Sequence, residues 1–204
     1  MQHRPDVAFA LTRCTDHAQI ESAVNIITAA FVDDPAIVYF VGDTTPPGPV
    51  RHNIVAAITN AHFRANEPIF LFRKDRQVVG AALIEVRRSA MAEIISVVRT
   101  WRLWRRLPKG CIKRMNRYRS LARRGNDRTA NYLTMIGILP ELQGNGLGKQ
   151  FIDLLEGEVD SKRGWSLDTE NPKNVILYEK LGYDLVAKVD WEDNTIYQMH
   201  KAGR

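Results

Sequence analysis

The chain has 204 residues, of which 45% are hydrophobic, and a formal net charge of +6. That size and apolar content suit one domain with a substantial core and argue against disorder. Its longest apolar run, the seven residues from Val78 to Ile84, is far short of the roughly 18 to 20 that a membrane-spanning helix needs, so integral membrane association is not expected.

Met1 to Asp6 carries charge without a following apolar stretch, so neither a secretion signal nor a transit peptide is read there. Val7 to Arg13 reads as an opening strand. Asp16 then makes a cap for a helix through about Phe31, with Ile20, Val24 and Ile27 on one face. Asp34-Pro35 and the Thr44 to Pro49 cluster read as breaks. A second helix is expected from Val50 to about Ala65, and a strand hairpin from Ile69 to Arg73 and Gln77 to Val86 around Lys74-Asp75-Arg76.

The positive charge is local. Between Ile94 and Asn126 there are eleven basic residues and no acidic one, leaving 18 basic against 23 acidic residues elsewhere. Apolar residues recur there at helical spacing on both sides of Pro108-Lys109-Gly110, which predicts two amphipathic helices, a basic insertion over about 90–126. Three roles fit this hairpin over 94–124: a solvated face whose arginine stems cover apolar surface, a patch that attracts an anionic substrate, cofactor or partner, or a membrane-surface element. No RNA-binding or helix-turn-helix signature accompanies the charge, so a nucleic-acid partner is not expected.

Beyond it, Tyr132 to Leu139 reads as a strand, Leu147 to about Val159 as a helix, Trp165 to Thr169 as a strand and Val175 to Leu181 as a short helix ended by Gly182. Leu185 to Trp191 and Thr195 to His200 close the chain as two strands. The whole is a mixed α/β domain spanning 1–204, with the helical insertion between its third and fourth strands. Cys14 and Cys111 have no CxxC spacing and suit packed thiols in a reducing, cytoplasmic setting. No residue set suggests a metal. His200 and the other histidines lie outside recognisable constellations.

Between a predicted strand and a predicted helix lies Gln143-Gly144-Asn145-Gly146-Leu147-Gly148-Lys149. Three glycines bare a turn whose backbone NH groups sit at the positive end of a helix, an anion cradle suited to phosphates. It is not a dinucleotide fingerprint, because Lys149 stands where the last glycine belongs. Nor is it a Walker loop, because Gln143 and Gln150 replace the first glycine and the magnesium-ligating hydroxyl. A ligand-free tight turn would read the same way. Downstream, Asn171, Leu177, Tyr178, Glu179, Lys180 and Gly182 follow in order, with a further asparagine at 174 and tyrosine at 183.

Together these two segments resemble the GNAT superfamily of acetyl-CoA-dependent N-acetyltransferases: Gln143, Gly146 and Gly148 match its glycine loop, and Asn171 to Tyr183 its later Asn, Leu-Tyr-Glu-Lys and Gly motif, with Asn174 in place of a small residue and Tyr183 in place of phenylalanine. The amino-terminal half looks most like the small-molecule, puromycin-modifying branch. The resemblance implies a GNAT fold in which the strand before the glycine loop parts from the next parallel strand, and the pantetheine arm of acetyl-CoA lies in the gap. Backbone groups of Ile136, Gly137 and Ile138 would hold pantetheine, NH groups from Gln143 through Gly144, Asn145, Gly146, Leu147 and Gly148 to Lys149 the pyrophosphate, and Asn171 or Asn174 the pantetheine amide. It also implies direct attack by an amine without an acyl-enzyme, with Tyr178 protonating the departing thiolate. For the base that takes the amine proton, Glu85 and Asp168 both stand as candidates. A small-molecule amine is the expected acceptor; a protein lysine or amino terminus, or an acetyl-CoA sensor without catalysis, are the alternatives.

Overall fold

A computed structural model describes residues 8–43, 45–86, 101–124, 127 and 129–203. Seven strands form one sheet: β1 (Phe9–Arg13), β2 (Ile69–Lys74), β3 (Gln77–Glu85), β4 (Asn131–Ile138), β5 (Trp165–Thr169), β6 (Asp184–Trp191) and β7 (Asn194–Lys201), in the order β1-β2-β3-β4-β5-β7-β6. All neighbours are antiparallel except β4 and β5, which run parallel. The mixed α/β architecture expected from the sequence is therefore the one observed.

Helices cover both faces of the sheet. On one lie α1 (His17–Ala30), α2 (Pro35–Val41), α3 (Pro47–Arg64) and α4 (Cys111–Ala122), packed with Leu71, Leu83, Met135 and Ile196. On the other, α5 (Leu147–Glu158) and α6 (Pro172–Lys180) cover Phe70, Phe72, Ile84 and Leu133. Alternate residues of β2 thus enter opposite cores, and a strand buried on both faces must read as a continuous apolar run. Gly137 marks the closest helix–sheet approach: a Cβ there would lie 2.7 Å from that of Ala30 on α1.

Local chemistry explains where elements begin. Asp16 caps α1, its carboxylate accepting from the Gln19 NH at 2.9 Å. Asp34-Pro35 is no break but the start of α2: the Asp34 carboxylate accepts from the Ile37 NH, and Pro35 sits in the first turn, where no NH is required. The same tolerance places Pro47 and Pro49 inside the first turn of α3, and Pro172 at the start of α6, earlier than expected in both cases. The insertion lies between β3 and β4 as expected. Its first predicted helix falls largely outside the described residues, which show helix at 101–104, whereas its second is α4.

Candidate active site

Only Asn131 and Tyr132 of β4 pair with Trp165 and Ser166 of β5; beyond them the parallel strands part. A cavity of about 290 Å³ opens at the gap, on the helical face built by α2, α3 and α4. Its walls include Phe31, Ile37, Phe40 and Met115 as apolar surface, and Asp34, His62, Glu85, Tyr118, Arg119, Arg123, Asp168, Glu170, Asn174 and Tyr178 as polar surface.

Tyr178 is held from behind. Its carbonyl accepts from the NH of Tyr183, and that of Glu179 from the NH of Gly182, whose φ of +85° a residue with a side chain would resist. This doubly bonded glycine terminus fixes the last turn of α6. The Tyr178 side chain is 6% exposed and its hydroxyl makes no hydrogen bond among the described residues. Facing it across the cavity, α4 places Tyr118 between the rings of Phe40 and Trp191, and its hydroxyl meets both Asp168 Oδ2 and Glu170 Oε1. Glu85 is bound in a fork by Arg123, with Nη1 to Oε1 at 2.9 Å and Nη2 to Oε2 at 2.5 Å, and Arg119 lies 3.7 Å away.

After β4 the chain turns through the glycine loop into α5. Gly144 and Gly146 have φ of +78° and +75°, and Gly146 begins α5 without any side-chain cap, so the first-turn NH groups are not met by a side chain. Side chains brace the loop from within: Gln143 Nε2 donates to the Ile138 carbonyl at 2.9 Å, and Asn145 Nδ2 to the carbonyls of Leu142 and Gln143. The Lys149 side chain is paired with Asp153 one turn along α5, at 2.5 Å.

Residues 30–183 match the sequence profile of the acetyltransferase (GNAT) family. The chain belongs to that family. No curated protein sequence matches it, but solved structures share its fold. A protein described as histone acetyltransferase HPA2 and related acetyltransferase, from Corynebacterium glutamicum, superposes with a TM-score of 0.69 at 15% identity, covering 96% of this chain and 97% of the other. YncA of Salmonella typhimurium, solved with its cofactor acetyl-CoA, gives 0.54 at 18% identity over 96% and 94%. An acetyltransferase from Thermus thermophilus gives 0.54 at 14% identity over 95% and 96%.

Against this GNAT frame the residues singled out in the sequence separate into groups. Tyr178, Asp168, Glu85, Asn174 and Ile136 share the cavity. Asn171 instead caps α6, accepting from the Lys173 NH, while Asn174 donates to Thr169 Oγ1 at 3.2 Å. Leu147 and Ile138 turn their side chains into the core behind α5. Both cysteines are buried thiols, Cys14 pushed up to about 12 by burial and by the charge of Asp16.

Sequence reasoning missed Asp34, Tyr118, Glu170, Arg123 and His62. His62, 6% exposed, bonds the Ile58 carbonyl and Thr134 Oγ1 through its two ring nitrogens. Burial raises Asp34 and Asp168 to about 6, despite the hydrogen bonds each carboxylate accepts. Glu170 rises to about 8 through burial and the charges of Asp168 and Asp34. Glu85 goes the other way: burial pushes it up, but the bonds and charge of Arg123, with Arg119 and His62, outweigh this and hold it at about 2. Burial and the charge of Asp168 push the Tyr178 hydroxyl well above its ordinary value, so it stays protonated at neutral pH.

Proposed function

We propose that this GNAT protein transfers the acetyl group of acetyl-CoA to an amine of a small molecule, in a ternary complex and without an acyl-enzyme. The observation that carries the reading is the protonated Tyr178 hydroxyl, without a hydrogen-bond partner among the described residues, in the cavity where β4 and β5 part. The glycine loop fits the donor's pyrophosphate: Cβ atoms built at Gly144 and Gly146 meet nothing within 4 Å, leaving open space beside uncapped NH groups. The edge of β4 left unpaired near Ile136 and Gly137, with Asn174 on the cavity wall, fits the pantetheine arm. Bound there, the donor supplies an activated acetyl thioester.

Tyr178 gives its proton to the departing thiolate. Between the two carboxylates considered as base, the surroundings favour Asp168. A carboxyl at about 6 can accept a proton near neutrality, whereas Glu85, held at about 2 by Arg123, is too weak a base and instead anchors that guanidinium. Of the two protons an ammonium loses on becoming an amide, one leaves to solvent through Asp168, and the other replaces the one that Tyr178 gave up. The new N–C bond forms as the C–S bond breaks.

The size of the cavity, about 290 Å³, supports a small acceptor rather than a folded protein. Titration calorimetry with acetyl-CoA, with CoA, ATP and NAD as controls, tests the donor. Binding confined to the CoA species, followed by thiol release with an amine panel, is the expected result; no binding would overturn the reading.

A further inference from the structure

The cavity contradicts the charge of the helix that roofs it. The insertion is strongly basic, yet the acidic groups on the walls, Asp34, Glu85, Asp168 and Glu170, outnumber the basic ones, Arg119 and Arg123. Both arginines lie against Glu85, and the charge of Arg123 also reaches Asp168; Asp34 and Glu170 form the acidic pole beyond them. His62 faces the same space and bonds Ile58 and Thr134.

Proton counting sharpens the point. The Tyr118 hydroxyl meets Asp168 and Glu170 at once, but a phenol has one proton to give, so between the two carboxyls one must carry its own proton or meet a cation. Asp34 accepts only from the backbone at the start of α2. The pole therefore keeps protons that its carboxyls would ordinarily lose, because a low-dielectric wall makes each further negative charge costly. The same cavity holds Tyr178, a residue 6% exposed whose hydroxyl makes no hydrogen bond among the described residues. Among the described residues no cluster is arranged to hold a metal ion, so an organic cation suits the pole.

Resting on the acetyltransferase reading, which it narrows, we propose that the acceptor is a small diamine whose second ammonium is held by Asp34 and Glu170 while the first, having lost its proton to Asp168, reacts. Glu170, raised to about 8, keeps its own proton at neutral pH in the free protein, and an ammonium seated between it and Asp34 takes the place of that proton. Phe31, Ile37, Phe40 and Met115 give the intervening carbon chain an apolar wall. A cavity of about 290 Å³ suits a chain of a few carbons. A zwitterionic amino acid would set its carboxylate against the same pole, and a simple monoamine would leave the pole without its ammonium.

Calorimetry with unbranched α,ω-diamines of three to six carbons, each against its monoamine and its ω-amino acid, tests this directly. At least one diamine is expected to bind roughly tenfold or more tightly than both counterparts. Asp34→Asn and Glu170→Gln should each erase that preference, with acetyl-CoA affinity showing that the variants remain folded. If no diamine in the series outranks its monoamine, or if the amino acids bind best, the proposal fails whatever the variants do. Diamine preference without acetyl-CoA binding would uphold the cation pole and sink the transfer reading; acetyl-CoA binding without diamine preference would do the reverse.

Discussion

Tyr178 and Glu85 are both buried ionisable groups on one cavity, and their surroundings assign them opposite work. Tyr178 has a raised hydroxyl with no hydrogen-bond partner among the described residues and a backbone clamped at Gly182, so it can donate a proton from a fixed position. Tyr178→Phe keeps the ring contact with Tyr183 and should leave acetyl-CoA affinity within a few-fold. Turnover by thiol release should fall by about 10² to 10⁴-fold, the usual loss on removing a positioned acid. Undiminished turnover would place the acid elsewhere. The role proposed for Tyr178 could be suggested from sequence because the motif that carries it is one continuous stretch of chain. Glu85 was legible only as a carboxylate near the site. Its partner, Arg123, is 38 positions away, and no local spacing announces a fork between a strand end and an inserted helix.

At the scale of elements, the same contrast separates the glycine loop from the cavity wall. A strand, a turn with three glycines and a helix are consecutive, so their joint geometry can be inferred from a single stretch of chain. Gly146 tests it: at φ +75° and with open space at its Cβ position, Gly146→Val should strain the turn and fill the cradle, while the core behind α5 is untouched. The expected result is a loss of acetyl-CoA affinity of at least about 10-fold, with the helix content by circular dichroism unchanged. Wild-type affinity would show that phosphate does not lie against this loop. By contrast, α2 was read as a break because aspartate-proline looks like punctuation, when the same pair also starts a helix. Its acidic cap then became a cavity residue. The insertion hid its part too: of its basic residues, Arg114 donates to the Phe40 and Val41 carbonyls, Arg117 pairs with Glu192, and Arg119 and Arg123 flank Glu85. Much of what reads as a solvated basic face is a set of attachments, whereas Arg102 and Arg105 remain exposed.

Over the whole molecule the cavity sets a conflict between stability and function that pH should expose. Groups whose folded-state value is raised favour the fold while protonated. Asp34 and Asp168, ordinarily at 3.8, rise to about 6, and Glu170, ordinarily at 4.5, to about 8. Their contribution is full below about pH 4 and is lost as pH rises toward 6 and then 8. Glu85, lowered from 4.5 to about 2, has the opposite sign: its contribution is present above about pH 4.5 and is lost as pH falls toward 2. The two trends cross, so the protein without ligand should be most stable near pH 3.5 to 4, and its melting temperature should fall steadily from there to pH 8. Glu170→Gln cannot ionise and relieves the repulsion with Asp168 and Asp34. Its melting curve should be flatter above pH 5, and at pH 8 it should exceed wild type by roughly 1–3 kcal/mol, a common scale for removing a charge from a buried cluster. A diamine should produce the same gain in the wild type, because a bound dication replaces the missing protons. A melting temperature that is level from pH 5 to 8 in both proteins would mean that the three carboxylates do not share charge across this cavity.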